Sequence, residues 1–287
     1  MPVAATNHQV RKMIANIGTR VKLNNGVEMP ILGLGVYQMS SGDQTRSACL
    51  EALAVGYRLI DTASMYGNEM DVGKAVAQSG LEREELFITT KVWNSDHGYD
   101  RTLKAFQRSQ AALGLDYVDL YLIHWPGGGL RKETWQALEK LLEDGKCRAI
   151  GVSNYTITHL KEMMGYAKVI PTVNQVEFHP WLFQKDLLEY CQKEKIQMEA
   201  YSPLTRARKL DSPILKSIGD HYRKTPAQVM IRWGLQHGLI EIPKSTHKDR
   251  IIENANVFDF QIDDSDMKEI DSIDKERRVS WDPSSIP

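Results

Sequence analysis

The sequence predicts an α/β fold: a single (β/α)8 TIM barrel whose bottom is capped by an N-terminal β-hairpin. Three observations carry the prediction. Eight short apolar runs, at 31–36, 57–60, 86–91, 118–123, 148–152, 172–176, 196–200 and 239–242, read as strands, and amphipathic segments fill the gaps between them. The runs are continuously apolar rather than alternating, which marks parallel strands covered by helices. The chain of 287 residues suits one barrel of about 250 residues and shows no linker or compositional break.

The hairpin comes first in the chain. Val21-Lys22-Leu23 and Val27-Glu28-Met29 flank Asn24-Asn25-Gly26, and Asn-Gly between short alternating runs is a hairpin signal. Residues 1–20 read as a tail without the apolar core of a signal peptide. Residues 21–287 read as the barrel domain. Helical patterns follow at 100–113, 131–143 and 184–194, and the second sets Trp135, Leu138, Leu141 and Leu142 on one face. A doubly wound sheet is disfavoured, because Gly33-Leu34-Gly35 runs on into Val36-Tyr37-Gln38 and lacks the third glycine of a dinucleotide turn. Gly127-Gly128-Gly129 lacks the trailing Lys-Ser/Thr of a phosphate loop and reads as a flexible loop.

Composition narrows the function. Lys plus Arg is 36 and Asp plus Glu is 37, so a general nucleic-acid or membrane-surface binder is disfavoured. No stretch approaches the ~20 apolar residues of a membrane span. Cys49, Cys147 and Cys191 are isolated, which fits reduced thiols in a cytoplasmic protein. No strand end offers His and carboxylate at ligand spacing, so no metal is expected.

Four polar residues stand where a barrel keeps its chemistry, at the C-terminal mouth. Asp61 follows Tyr57-Arg58-Leu59-Ile60, Lys91 closes Leu86-Phe87-Ile88-Thr89-Thr90, and His124 closes Val118-Asp119-Leu120-Tyr121-Leu122-Ile123. Tyr66 lies in the loop after the first of these. Taken singly, each fits a bland role: a surface or ion-paired Asp or Lys, a structural His, a core Tyr. Together at three successive strand ends they suit proton transfer. A free phenol, with a pKa of about 10, gives up its proton slowly at neutral pH, and a nearby cation lowers that value. Lys91 supplies the cation. Asp61 holds Lys91 and offsets the cost of burying its ammonium. His124 aims a substrate oxygen. The set suits protonation of a carbonyl oxygen while its carbon is attacked.

The same residues sit in motifs that resemble the aldo-keto reductase family, short microbial type. Gly56-Tyr57-Arg58-Leu59-Ile60-Asp61-Thr62-Ala63-Ser64-Met65-Tyr66-Gly67-Asn68-Glu69 is similar to its first signature. Ile242-Pro243-Lys244-Ser245, followed by Arg250 and Glu253-Asn254, is similar to its cofactor signature. The resemblance also covers Lys91-Val92-Trp93-Asn94, Leu122-Ile123-His124-Trp125-Pro126, Gly151-Val152-Ser153-Asn154 and Asn174-Gln175-Val176-Glu177. Its nearest types are the glyoxal and diketogluconate reductases and the protozoan prostaglandin F synthases. It implies NADPH/NADP+ as cofactor, Tyr66 as proton donor, and reversible reduction of aldehydes and ketones to alcohols. Ser153, Asn154 and Gln175 then hydrogen-bond the nicotinamide carboxamide, and Tyr201 stacks on its ring. Ser202, Leu204 and Arg206 fall in a loop along the pyrophosphate. Lys244, Ser245, Thr246 and Arg250 grip the adenosine 2′-phosphate, with Glu253 and Asn254 near adenine. Lys plus Arg beside a hydroxyl is itself a reasonable phosphate site, although a solvated basic turn explains the same residues without the resemblance.

The chain departs from that pattern in the loop Ser202-Pro203-Leu204-Thr205-Arg206-Ala207-Arg208, where relatives carry glycines. Non-glycine residues resist positive φ, so a stiffer loop is expected, with Arg206 or Arg208 reaching a cofactor phosphate. Tyr37, Trp93 and Trp125, with His124 and Trp281, are the expected substrate walls, whereas Trp135, Trp181 and Trp233 are expected to pack. A short loop after His124 and an early C-terminus predict an open pocket. The expected partner is a small carbonyl compound, with no nucleic acid and no membrane, and the expected state is a monomer. The competing class is a regulatory or sensor barrel that binds NADPH and turns over little. A barrel isomerase or metal hydrolase lacks a motif.

Overall fold

The Asn-Gly signal produces the first pair of strands. A computed structural model of the chain, describing residues 14–127 and 129–286, pairs β1 (Arg20–Lys22) antiparallel with β2 (Glu28–Pro30). Asn24 and Asn25 donate from their side-chain amides to the carbonyls of Pro171 and Arg148, which ties the turn to the strand starts. Leu23 and Met29 are buried against Leu59, Phe87, Leu120, Val173 and Ile240, which sit near the N-terminal ends of barrel strands. The hairpin therefore plugs the bottom, as expected. Residues 1–13 of the predicted tail and Gly128 lie outside the described residues. Ile14 is buried in the main core, and Arg20 opens β1.

Eight strands follow in one parallel sheet: β3 (Gly33–Gly35), β4 (Leu59–Asp61), β5 (Phe87–Val92), β6 (Val118–Ile123), β7 (Cys147–Ser153), β8 (Val173–Glu177), β9 (Gln197–Tyr201) and β10 (Ile240–Glu241). They are ordered in space as in sequence. The sheet closes on itself where Glu241 donates its backbone N–H to the Ile31 carbonyl at 2.9 Å, and Gly35 to that of Pro243 at 3.2 Å. A Cβ on Gly35 would lie 2.9 Å from the Ile242 carbonyl oxygen, so glycine is what lets the first and last strands meet. Each strand lies within a residue or two of its apolar run, which is the legibility expected of strands buried on both faces.

Helices separate the strands and cover the outside. The predicted patterns become α3 (Tyr99–Leu113), α4 (Arg131–Glu143) and α6 (Lys185–Lys193). α1 (Asp43–Val55), α2 (Glu69–Gln78) and α5 (Ile157–Met164) complete the first turns. α7 (Pro213–Tyr222), α8 (Pro226–Gln236), α9 (Lys248–Ala255) and α10 (Asp264–Asp271) close the second half. Trp135, Trp181 and Trp233 are buried in the layer between helices and barrel, as the sequence leads one to expect.

Candidate active site

The two-residue period of a strand decides which side chains enter the barrel. In β5, Phe87 packs inside while Ile88 and Val92 pack outside, so Thr89 and Lys91 share the inner face. In β4, Leu59 is inside and Ile60 outside, so Asp61 points in. His124 follows Leu120 and Leu122 inward by the same count. All three reach the C-terminal mouth, and the short 3-10 turn Ser64–Tyr66 after β4 brings Tyr66 over them.

The four residues form one contact chain. Lys91 Nζ donates to Asp61 Oδ1 at 2.7 Å, to the Thr62 carbonyl at 2.8 Å and to the Tyr66 hydroxyl at 3.4 Å. These three acceptors match the three protons of an ammonium. The Tyr66 hydroxyl lies 3.5 Å from His124 Nε2. Lys91 and Asp61 are buried, so their pairing is what makes either charge tolerable there. Burial pushes the Asp61 carboxyl upward, opposed by the Lys91 ammonium and by Gln175, whose Nε2 donates to Asp61 Oδ2 at 2.7 Å. With two donors in contact, one of them the Lys91 cation, Asp61 is the ionised member of the group.

The electrostatics of Tyr66 differ from the sequence expectation. Burial, followed by the Asp61 charge, holds its hydroxyl well above the ordinary phenol range. The sequence suggested a phenol already lowered by Lys91; at 3.4 Å and with Asp61 neutralising it, that cation does not outweigh burial. Tyr66 is thus a fully protonated donor at rest. Burial, followed by the Lys91 charge, drives His124 well below its ordinary value, so its imidazole is neutral.

These residues open into a cavity of about 680 Å³. Asp61, Tyr66 and His124 line it, as do all the expected cofactor residues and the walls Tyr37, Trp93, Trp125 and Trp281. Lys91 lies beneath the surface, reached through Asp61 and Tyr66. Arg208 is exposed outside the cavity, so the two-arginine alternative reduces to Arg206, whose guanidinium sits 5.9 Å from the Tyr37 ring centre. The loop does take the backbone that glycines would favour: Ser202, Thr205, Arg206 and Ala207 have φ of 51°, 51°, 54° and 62°. The expected resistance of these residues to positive φ appears as a strained loop rather than a reshaped one.

The polar groups across the mouth are partly spent on one another. Asn154 Nδ2 donates to the His124 carbonyl and to Ser153 Oγ, and its Oδ1 accepts from the Tyr201 hydroxyl at 2.8 Å. Gln175 Nε2 donates inward to Asp61 and to Glu199. Ser153 keeps a hydroxyl donor, and Gln175 offers its amide oxygen. At the far end, Lys244 and Arg250 are exposed beside Ser245, next to the start of α9, and neither has an ion-pair partner among the described residues. Lys248, by contrast, pairs with Glu51. Glu253 accepts from the Thr225 hydroxyl.

A model of the aldo/keto reductase family matches residues 32–275. The chain belongs to the aldo/keto reductase family. It is 52% identical over 274 residues to the glyoxal reductase of Bacillus subtilis, covering 96% of this chain and 99% of that one. Among solved structures, it resembles an aldo-keto reductase from a Medee basin deep-sea metagenome library, with 45% identity, a TM-score of 0.90, and 93% and 99% of the two chains covered. It also resembles the Bombyx mori family member solved in complex with NADP, with 36% identity, a TM-score of 0.86, and 91% and 94% covered. This family member is an oxidoreductase.

Two groups at the site escaped the sequence, although Trp281 itself was expected among the walls. One is the anchor of the C-terminal segment, which lines the cavity at Val279, Ser280 and Trp281. The Val279 and Ser280 N–H groups both donate to the buried Glu177 carboxylate, which fixes Trp281 beside Trp93 and Trp125, with ring centres 6.4 and 5.5 Å apart. Glu199 is the other, an acid inside the barrel beneath the mouth. The sequence signal for each is a carboxylate within a strand, Glu177 at the end of β8 and Glu199 in the middle of β9.

Proposed function

We propose that the protein reduces aldehydes and ketones to alcohols with NADPH, reversibly, using Tyr66 as the proton donor. The observation that carries the reading is a cavity that joins a protonated Tyr66, backed by the Asp61–Lys91 pair, to two cations beside Ser245 that have no ion-pair partner among the described residues. The residues present fit NADPH chemically. Ser153 and Gln175 offer one donor and one acceptor, the complement of a carboxamide. Tyr201 offers a ring whose hydroxyl is tethered to Asn154. Lys244, Ser245, Thr246 and Arg250, next to the start of α9, suit a phosphate, since a helix start adds positive potential. Glu253 and Asn254 lie beside the same end, and Ser202, Leu204 and Arg206 along the wall between.

When bound, the cofactor supplies hydride to the carbonyl carbon. The chain's residues do the rest. Neutral His124 donates one N–H to the carbonyl oxygen and orients it. Tyr66 gives its proton to the same oxygen as negative charge grows there. The phenolate left behind is stabilised by Lys91, and Asp61 keeps Lys91 in place. Tyr37, Trp93, Trp125 and Trp281 exclude water and offer apolar walls. The similarity to a glyoxal reductase makes small dicarbonyls the first substrates to try.

NADPH oxidation measured with glyoxal, methylglyoxal and an aromatic aldehyde tests the reading; no turnover with any carbonyl would sink it. Arg250→Ala should weaken NADPH binding about tenfold or more and NADH binding little, because the lost charge-assisted bond is to the 2′-phosphate. Equal loss for both cofactors would remove that role.

A further inference from the structure

Glu199 belongs to no part of the mechanism above, yet it is wired to it. It lies in β9 in register with Gln175 of β8 and Ile240 of β10, and points into the barrel on the same face as Tyr201. It is wholly buried. Its Oε2 accepts from Gln175 Nε2 at 2.8 Å, and the same nitrogen donates to Asp61 Oδ2 at 2.7 Å. Asp61 holds Lys91, and Lys91 reaches Tyr66. The other oxygen, Oε1, has no hydrogen-bond partner among the described residues.

The charges around it leave it without a counterion. Asp61 from β4, Tyr66 from the following turn, Lys91 from β5 and Glu241 from β10 are the titratable groups within its field. Lys91 is the cation among them, and Asp61 already neutralises it. A buried carboxylate left over in this way takes up a proton rather than remain charged. The unpartnered Oε1 is the place for that proton.

We propose that Glu199 is a positioning residue of the reductase site: held as a neutral acid, it locks the Gln175 amide with its oxygen toward the cavity and leaves Asp61 as the single charge against Lys91. The proposal rests on the reductase reading above. Burial, followed by the charge of Asp61, pushes the Glu199 carboxyl up to about 8. Above that pH a second anion sits beneath the mouth. It raises the Tyr66 hydroxyl further, as the Asp61 charge already does, and a weaker acid donates its proton more slowly. Glu199 thereby sets an upper pH limit on reduction.

Glu199→Gln reproduces the neutral acid: its carbonyl accepts from Gln175, and its amide nitrogen takes the place of Oε1–H. Three measurements test the proposal. The infrared difference between parent and variant should contain a protonated-carboxyl C=O band at neutral pH that disappears as pH rises through about 8. A difference spectrum without that band overturns the proposal, whether or not the protein proves to be a reductase. Separately, the variant-to-parent ratio of kcat with NADPH and a small aldehyde should rise about three- to tenfold between neutral pH and well above pH 8, the span one buried charge supplies across such a site. Glu199→Met, which carries no oxygen, should also lack the alkaline decline while binding NADPH more weakly in a fluorescence titration, because the Gln175 amide keeps only its bond to Asp61. An alkaline decline in both variants identical to the parent's overturns the proposal, while absence of turnover by the parent defeats the reductase reading and leaves the infrared result to decide on Glu199.

Discussion

Tyr66 combines two properties that a proton donor needs. It is protonated at rest, because burial and the Asp61 carboxylate hold its hydroxyl well above the ordinary phenol range. It also has a cation 3.4 Å away that gains value only once the proton leaves. The same burial acts on two other carboxyls and gives a prediction for stability. Glu199 is raised to about 8, and burial with the Glu199 charge raises Glu241 well above its ordinary value. In the unfolded chain a glutamate releases its proton near about 4.3. Between that value and about 8 the folded state binds a proton that the unfolded chain does not, so this contribution to stability falls as pH rises. Glu199→Gln removes it. The stability advantage of the variant over the parent, from urea midpoints, should grow across that window; a constant difference would mean that Glu199 is not raised.

At the scale of elements, the strands were legible because their apolar runs are buried on both faces. β10 is the shortest, and it was still readable from Leu239 to Ile242. The loops were less so. The expected stiff loop at 202–208 is strained instead, with non-glycine residues at positive φ over Thr205, Arg206 and Ala207. Ala207 is exposed, and the bond that holds it, from its N–H to the Leu204 carbonyl at 2.8 Å, is a backbone bond that glycine keeps, so its positive φ is a cost that glycine relieves. Ala207→Gly should stabilise the protein by roughly 0.5–1 kcal/mol in chemical denaturation, after the glycine's greater unfolded-state entropy is subtracted. A destabilised variant would show that the strain is illusory. The anchoring of the C-terminal segment was illegible for a different reason: Glu177 lies about a hundred residues earlier in the chain, and no local pattern announces a contact of that range.

At the scale of the whole molecule, barrel closure brings residues from Gly35 to Trp281 to one cavity. The sequence placed the tetrad there because strand period and strand order suffice to do so. The residues that the signature motifs led one to expect at the cofactor line the cavity too. Hydrogen-bond bookkeeping was out of reach, because it depends on distances: Asn154 and Gln175 each direct their amide N–H groups to protein partners, and Glu199 completes the set. Arg206 faces the cavity and Arg208 does not, a difference set by the turn between them. The central claim is that this cavity is a reductase site whose proton comes from Tyr66. The most direct measurement is steady-state reduction of a small aldehyde by Tyr66→Phe, alongside NADPH binding followed by fluorescence. The account predicts a fall in kcat of about 10²–10⁴-fold with NADPH affinity unchanged, since the lost hydroxyl acts on the carbonyl oxygen and touches no cofactor-holding residue. A variant that reduces the aldehyde at the parent's rate would contradict it.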